Sequence, residues 1–221
     1  MMGQRTVVPE ILDSLPSDDP RAVRCRIDLH RINLAMGNYR WIASKLQAGA
    51  RSGTRDWMEL GAGDGHLAKI LPDAFIQTIR VGAADFAPRP ECWPANWEWN
   101  QGDLFEVLDS RSGEKDTGII ASLFLHHFEE ADLAKMGAAF EDSFSRIIIS
   151  EPARFSCFEW LARPFFPLVN HVTRHDMIVS IQAGFRKGEL PRLLGLNPET
   201  WEWTEVVTLL GAYRLDARKR E

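Results

Sequence analysis

Cysteine is scarce: Cys25, Cys92 and Cys157 are the three in 221 residues, and no two of them form a Cys-x-x-Cys pair. An odd, scattered set excludes a disulfide framework and a cysteine-based zinc site, and is the pattern of reduced thiols in a cytoplasmic protein. Positive charge is also short. Acidic side chains outnumber basic ones by 31 to 26, a net charge of −5, and this argues against the broad cationic footprint of a nucleic-acid-binding domain. Long apolar runs are missing as well. No stretch of signal-peptide type opens the chain. The most lipophilic segment, Phe155 to Val172, is interrupted by Glu159, Arg163, Pro164 and Pro167, whereas a spanning helix needs roughly 18 or more apolar residues in succession. A soluble protein without stable membrane insertion is therefore expected. Repeats, low-complexity tracts and Gly/Pro/Ser-rich linkers are absent too, so the length predicts one domain over 1–221.

What the chain does have is alternation. Pro16-Ser17-Asp18-Asp19-Pro20 is helix-start chemistry, with Ser or Asp able to cap free amides and Pro tolerated in the first turn. Helices are predicted over 21–35 and 39–46, broken near Gly37-Asn38. Val23, Ile27 and Leu34, then Trp41, Ile42 and Leu46, supply apolar residues at loosely helical spacing. From Asp56 the rhythm changes. Strand-like runs over 57–60, 78–84, 97–101, 118–123 and 146–150 are interleaved with helical stretches that include 66–71 and 131–140. Such alternation implies crossover units and a mostly parallel sheet covered on both faces. The last two strand-like runs, 201–208 and 211–215, stand too close together for a crossover and read as an antiparallel pair.

The first strand leads straight into Gly61-Ala62-Gly63-Asp64-Gly65 and then a helix, the position where α/β folds bind nucleotide-like cofactors. Glycine permits the sharp turn and the close approach of a ligand; a plain tight turn is the simpler explanation of the same residues. The dinucleotide fingerprint Gly-x-Gly-x-x-Gly fails, because His66 stands where its last glycine belongs. This disfavours a nicotinamide-dependent oxidoreductase. The pattern is instead Glu59-x-Gly61-x-Gly63-x-Gly65. A carboxylate two residues before the first glycine suits a cationic cofactor, and Asp64 inside the loop would repel a pyrophosphate. S-adenosyl-L-methionine carries an ammonium and a sulfonium and no phosphate.

Over about 56–154 the sequence resembles the class I S-adenosylmethionine-dependent methyltransferases of small-molecule type. The resemblance implies an α/β fold: a Rossmann-like, mostly parallel seven-stranded sheet with helices on both faces and a C-terminal antiparallel hairpin. It divides the chain into an N-terminal helical lid (1–50), a cofactor-binding core (51–154), a substrate-side insert (155–195) and C-terminal strands (196–221). It places Glu59, Gly61, Ala62, Gly63 and Gly65 against the methionine part of the donor. Asp85, twenty residues beyond Gly65, would meet the ribose hydroxyls with Phe86 beside it, and Asp103 with Leu104 would lie near the adenine. Ser122 stands at the strand-four position where relatives often carry Asn or Asp. Carboxylates are rarely buried without partners, so three acids at three successive strand ends mark a site rather than packing.

The strand-four ending Leu125-His126-His127-Phe128 is similar to small-molecule members of that family, and Thr173-Arg174-His175-Asp176 to members associated with bacterial polyketide-type biosynthesis. Continued strand pairing would send His126 and His127 to opposite faces. Neither reads as a metal ligand, since no third His, Cys or carboxylate lies at a recognisable spacing, and no metal is expected. Methyl transfer to a hydroxyl profits from a general base, and histidine, with a reference pKa of about 6.5, suits that role. His127, and His175 beside Asp176, are the candidates. The expected activity is methyl transfer to a small-molecule acceptor, a phenolic, polyketide-like or lipidic hydroxyl. N- and C-methylation and protein acceptors stay open, and the oligomeric state is not encoded legibly. The alternative is a non-catalytic regulatory module that binds S-adenosylmethionine or S-adenosylhomocysteine.

Overall fold

The computed structural model describes residues 3–16, 18–71, 73–111 and 116–220. In chain order the elements are α1 (Ile11–Ser14), α2 (Pro20–Ala35), α3 (Asn38–Arg51), β1 (Asp56–Leu60), α4 (His66–Ile70), α5 (Asp73–Ile76), β2 (Arg80–Asp85), β3 (Trp99–Gln101), α6 (Leu104–Ser110), β4 (Thr117–Ser122), α7 (Glu130–Ser143), β5 (Phe144–Pro152), α8 (Ser156–Ala162), α9 (His171–Ala183), α10 (Glu189–Leu193), β6 (Trp201–Val207) and β7 (Ala212–Lys219). Short 3-10 turns occupy Leu125–His127 and Arg163–Leu168.

The seven strands form one sheet in the order β3-β2-β1-β4-β5-β7-β6. The first five strands pair in parallel, while β7 lies antiparallel to both β5 and β6. This is the expected Rossmann-like sheet with its terminal hairpin. β7 runs on to Lys219, beyond the expected limit near 215, because it gains backbone partners on both sides.

The sheet has helices on both faces, and the period-2 alternation of its strands shows why. Met58, Ile119, Ile147 and Ile149 join Leu104, Leu133, Met136, Phe140 and Leu190 in one core. Trp57, Ile120 and Ile148 point the other way, into a second core with Ile42 and Leu46 of α3 and Leu67 of α4. Successive side chains of a strand must face opposite sides, so a centre covered on both faces needs unbroken apolar runs such as Ile147-Ile148-Ile149. Each of these isoleucines is fully buried and contributes about 1.5–3 kcal/mol.

In α2 the apolar residues at helical spacing, Val23, Ile27 and Leu34, are exposed, whereas Ala22, Cys25, Asp28 and Asn33 are buried. The helix docks through polar groups. The Asp28 carboxylate accepts from the Thr173 hydroxyl at 3.2 Å and from the Asn170 N–H at 3.3 Å, at the start of α9. α2 begins where the sequence placed it: Asp19 accepts the Arg21 N–H at 2.8 Å, with Pro20 in the first turn. Ser17, the other candidate cap, lies outside the described residues. No helix among the described residues is long and apolar enough to cross a membrane.

Candidate active site

β1 has β2 on one side and β4 on the other, so the chain leaves β1 outward to β3 and returns to pair β4 against β1's free edge. The connections diverge at the carboxyl ends of β1 and β4, the switch point at which open α/β sheets bind their ligands. The glycine loop forms one wall. Gly61, Gly63 and Gly65 have φ of 66°, 57° and 69°, a left-handed backbone that side-chain-bearing residues rarely adopt. A Cβ on Gly61 would also stand 2.1 Å from the ring of Phe124, which closes over the loop from the end of β4. Leu123 is left-handed as well, at φ 54°, with its N–H donating to the Ser150 carbonyl at 2.9 Å. Strain of this kind persists where surroundings hold it and recurs at ligand sites.

The acids expected from the sequence gather at this edge. Glu59 is buried, and its Oε2 has no hydrogen-bond partner among the described residues. Burial, then the nearby Asp85 and Asp64 charges, push its carboxyl up to about 8. Asp85 ties β2 to the loop: one oxygen accepts the Gly63 N–H and the other the Ala87 N–H, both at 2.7 Å. Phe86 beside it is largely exposed. Asp103 sits at the rim as the cap of α6, accepting the Phe105 N–H at 2.8 Å, while the Leu104 side chain belongs to the core. Ser122 Oγ is buried at the end of β4 without a partner among the described residues. Ala62 is buried under the loop.

His30, Tyr39 and Glu10, which sequence reasoning missed, complete the two walls. His30 of α2 places Nε2 2.9 Å from Asp64 and Nδ1 3.0 Å from the Tyr39 hydroxyl. Its ring stacks on His66 at 3.6 Å. Burial alone would raise Asp64, but the His30 hydrogen bond, with the His30 and Lys69 charges, holds it at about 2. On the β4 side, strand pairing stops at Ser122, so His126 and His127 are not divided between two faces. They lie side by side in the 3-10 turn, ring centroids 4.2 Å apart. His126 is buried between two acids, with Nδ1 2.7 Å from Glu151 and Nε2 3.2 Å from Glu10. Burial opposes its charge, yet hydrogen bonds to Glu10 and Glu151 raise it to about 9. Burial, and then the His126 charge, lower His127, whose Nδ1 lies 3.5 Å from Asp13.

Glu10 thus reaches the histidines from 116 residues away, a proximity that no local spacing signals. Ligand atoms of Glu10, His126 and His127, and likewise of His30, Asp64 and His66, lie within 4.8 Å of one another. A metal ion sits in the plane of each imidazole that binds it. Rings stacked within 13° at 3.6 Å, as His30 and His66 are, do not converge on one ion, and both nitrogens of His126 already face carboxylates. His175 lies on α9. Its Nδ1 is 2.9 Å from Asp176, whose carboxylate also accepts the Ile11 and Leu12 N–H groups at the start of α1.

No family model and no curated protein matches this sequence. Solved structures do match. The plantazolicin methyltransferase BamL, solved with a triazolic desmethylPZN analogue and SAH, aligns over 92% of both chains at 10% identity with a TM-score of 0.70. An O-methyltransferase family protein from Burkholderia thailandensis aligns over 93% of this chain and 61% of its own, at 16% identity and a TM-score of 0.61. The fold is that of the class I methyltransferases. Magnesium protoporphyrin IX methyltransferase from Synechocystis, with SAH bound, shares it at 15% identity and a TM-score of 0.52, over 85% of this chain and 84% of its own. In this methyltransferase fold the glycine loop lies against Asp85 at the end of β2 and Phe124 after β4, with Glu59 of β1 near Asp85 and Asp64.

Proposed function

We propose that the protein transfers a methyl group from S-adenosyl-L-methionine to a small-molecule acceptor, the hydroxyl of a phenolic, polyketide-like or lipidic compound. The observation that carries this reading is Glu59. A fully buried carboxyl with an unpartnered oxygen, beside two further acids, is costly unless a cation is received there. The donor's methionine end brings that cation and no phosphate, and the glycine loop has no Cβ at three positions to keep it away. On this reading Glu59, Gly61, Ala62, Gly63 and Gly65 hold the methionine part, Asp85 and Phe86 the ribose, and Asp103 with the Leu104 backbone the adenine. Ser122 lines the methyl end. The ligands named for BamL and the Synechocystis enzyme add support by analogy of fold.

When bound, S-adenosylmethionine supplies an electrophilic methyl carbon, so the task left to the chain is alignment and proton removal. His127 is the base we favour. Its pKa is lowered, so the ring is neutral and able to take the acceptor's hydroxyl proton, and Asp13 lies beside it. His175 is the second candidate, through its contact with Asp176. α1, α2 and the segment from α8 to α10 would cover the acceptor. The apolar side chains that α2 and α8 expose, Val23, Ile27, Leu34, Trp160 and Leu161, favour an apolar partner on that side.

Calorimetric titration with S-adenosylhomocysteine tests the reading directly. Saturable binding is expected, weakened about tenfold or more by Asp85→Ala, the loss that accompanies removal of a charged hydrogen-bonding partner. A folded wild type that does not bind would end the proposal. Once an acceptor is found, His127→Gln is expected to lower kcat by about 10²-fold or more with donor affinity unchanged. Turnover that survives this change and falls with His175→Gln would move the base to α9.

A further inference from the structure

The hairpin that closes the sheet ends in two leucines. Thr208-Leu209-Leu210-Gly211 forms a tight turn between β6 and β7. The Gly211 N–H donates to the Thr208 carbonyl at 3.1 Å, and the Thr208 hydroxyl accepts the Ala212 N–H at 3.0 Å. Gly211 takes the left-handed conformation, φ 84°, that ends such a turn. The central positions of a turn normally carry Asn, Asp, Ser, Gly or Pro. Here Leu209 is 93% exposed and Leu210 more than half exposed. No charged residue stands between Glu205 and Arg214.

The tip adjoins α8. A Cβ on Gly211 would lie 3.0 Å from the Phe158 ring, and the Ala153 N–H, just before α8, donates to the Gly211 carbonyl at 2.8 Å. Leu161 is the neighbour of Phe158 one helical turn on. Cys157, Trp160, Leu161 and Pro164 recur at helical spacing and are all exposed, Trp160 to 66%. Leu168 beyond them is 69% exposed. The Arg163 guanidinium lies 4.0 Å from the centre of the Trp160 ring. The acids of α8 and the hairpin nearest this patch are engaged by protein groups. Glu159 accepts from Gln182 Nε2 at 2.9 Å, and Glu205 from the Tyr213 hydroxyl at 2.6 Å and the Gly188 N–H at 2.8 Å.

We propose that the hairpin tip and α8 form a docking surface for a phospholipid bilayer, entered peripherally by Leu209 and Leu210. Two features select a bilayer over a second protein. The tip is convex, and an acyl layer receives a protruding leucine without the matching hollow that a protein partner must supply. An exposed indole with a guanidinium stacked on it suits the headgroup level, where the apolar ring and the cation each meet their own surroundings. Insertion of apolar side chains supplies the attraction, so no excess of positive charge is required. No helix among the described residues is long and apolar enough to cross a membrane, so the contact is with one leaflet. The surface sits at the carboxyl end of β5, where Ala212 pairs with Pro152, the same edge of the sheet as the glycine loop. The inference goes beyond methyl transfer and holds with or without it.

The test is flotation of the full chain with vesicles of phosphatidylcholine, alone and mixed with phosphatidylglycerol. Wild-type protein is expected to float with both. Leu209→Ser and Leu210→Ser together are expected to lower the partition coefficient about tenfold or more, the loss of two inserted leucines. The thermal unfolding midpoint should stay unchanged, because both side chains point into solvent. Trp160→Ala is the second variant, expected to weaken partitioning several-fold. Wild-type protein that stays in the aqueous phase would overturn the proposal, as would flotation that neither variant weakens. A dimer that the leucine changes dissociate, without vesicle binding, would give the surface to a second copy of the chain instead.

Discussion

Glu59 and Asp85 are neighbours at the carboxyl end of the sheet, yet they carry opposite demands. Asp85 spends both oxygens on backbone N–H groups of the loop and its own turn, so it is satisfied without a ligand. Glu59 is not. An unfolded chain releases this proton near pH 4.5 and the folded chain near 8. The folded state therefore binds more protons between those values, and stability contributed by the protonated group is lost as pH rises from 4.5 to 8. A cationic ligand reverses the preference, so donor affinity is expected to rise across the upper part of the same window. Glu59→Gln is expected to flatten the pH dependence of S-adenosylhomocysteine affinity, weaken it about tenfold and make the unliganded protein more stable near pH 8. Calorimetry and chemical denaturation across that window measure both effects; a variant that keeps the wild-type pH profile would acquit Glu59. The glutamate and its glycines were legible in the sequence because they are contiguous. That one of its oxygens is left without a partner was not, since it depends on what Asp64 and Asp85 do instead.

At the scale of the element, α2 is the instructive case. Its apolar residues recur at helical spacing, and the helix turns its polar face to the protein: Asp28 toward α9, Asn33 toward Asn38, His30 toward Asp64. Periodicity identifies a helix and a stripe; it does not say which neighbour the stripe meets, and a polar face with specific partners competes with it. The His30 contact fastens α2 to the glycine loop. His30→Ala is expected to cost about 1 kcal/mol of stability, the usual worth of a half-exposed charged hydrogen bond. Hydrogen exchange should rise in 20–35 and 61–65 together. Faster exchange in α2 alone would mean that the loop is held by its glycines and Asp85 without help from the helix. The strands behaved otherwise: each expected run became a strand within a few residues, because β1, β4 and β5 are buried on both faces and their apolar runs have no alternative use.

For the molecule as a whole, the N-terminal segment crosses the carboxyl end of the sheet and is tied there by ionic groups: Arg5 to the His126 carbonyl, Glu10 to His126 and Ser180, Asp13 to His127. His126 is the hub. Its proton leaves near pH 6.5 in an unfolded chain and near 9 in the folded one, so its contribution is complete below pH 6.5 and drains as pH rises to 9. The shift corresponds to on the order of 3 kcal/mol. Denaturant midpoints measured from pH 6 to 10 should fall on this limb, and His126→Asn should flatten it while lowering stability at pH 6; an unchanged limb would place the titration elsewhere. The sequence by itself determined the α/β class, the strand order along the chain, the glycine loop and the acids after β1 and β2. All of these are written in contiguous residues, where strand period and backbone conformation act locally. Tertiary structure alone decided the rest: which face α2 turns inward, the end of β4 pairing at Ser122, and the joining of Glu10 and Glu151 across His126. Those depend on residues brought together from distant parts of the chain, where burial and charge pairing are settled only when the whole sheet has closed its two cores.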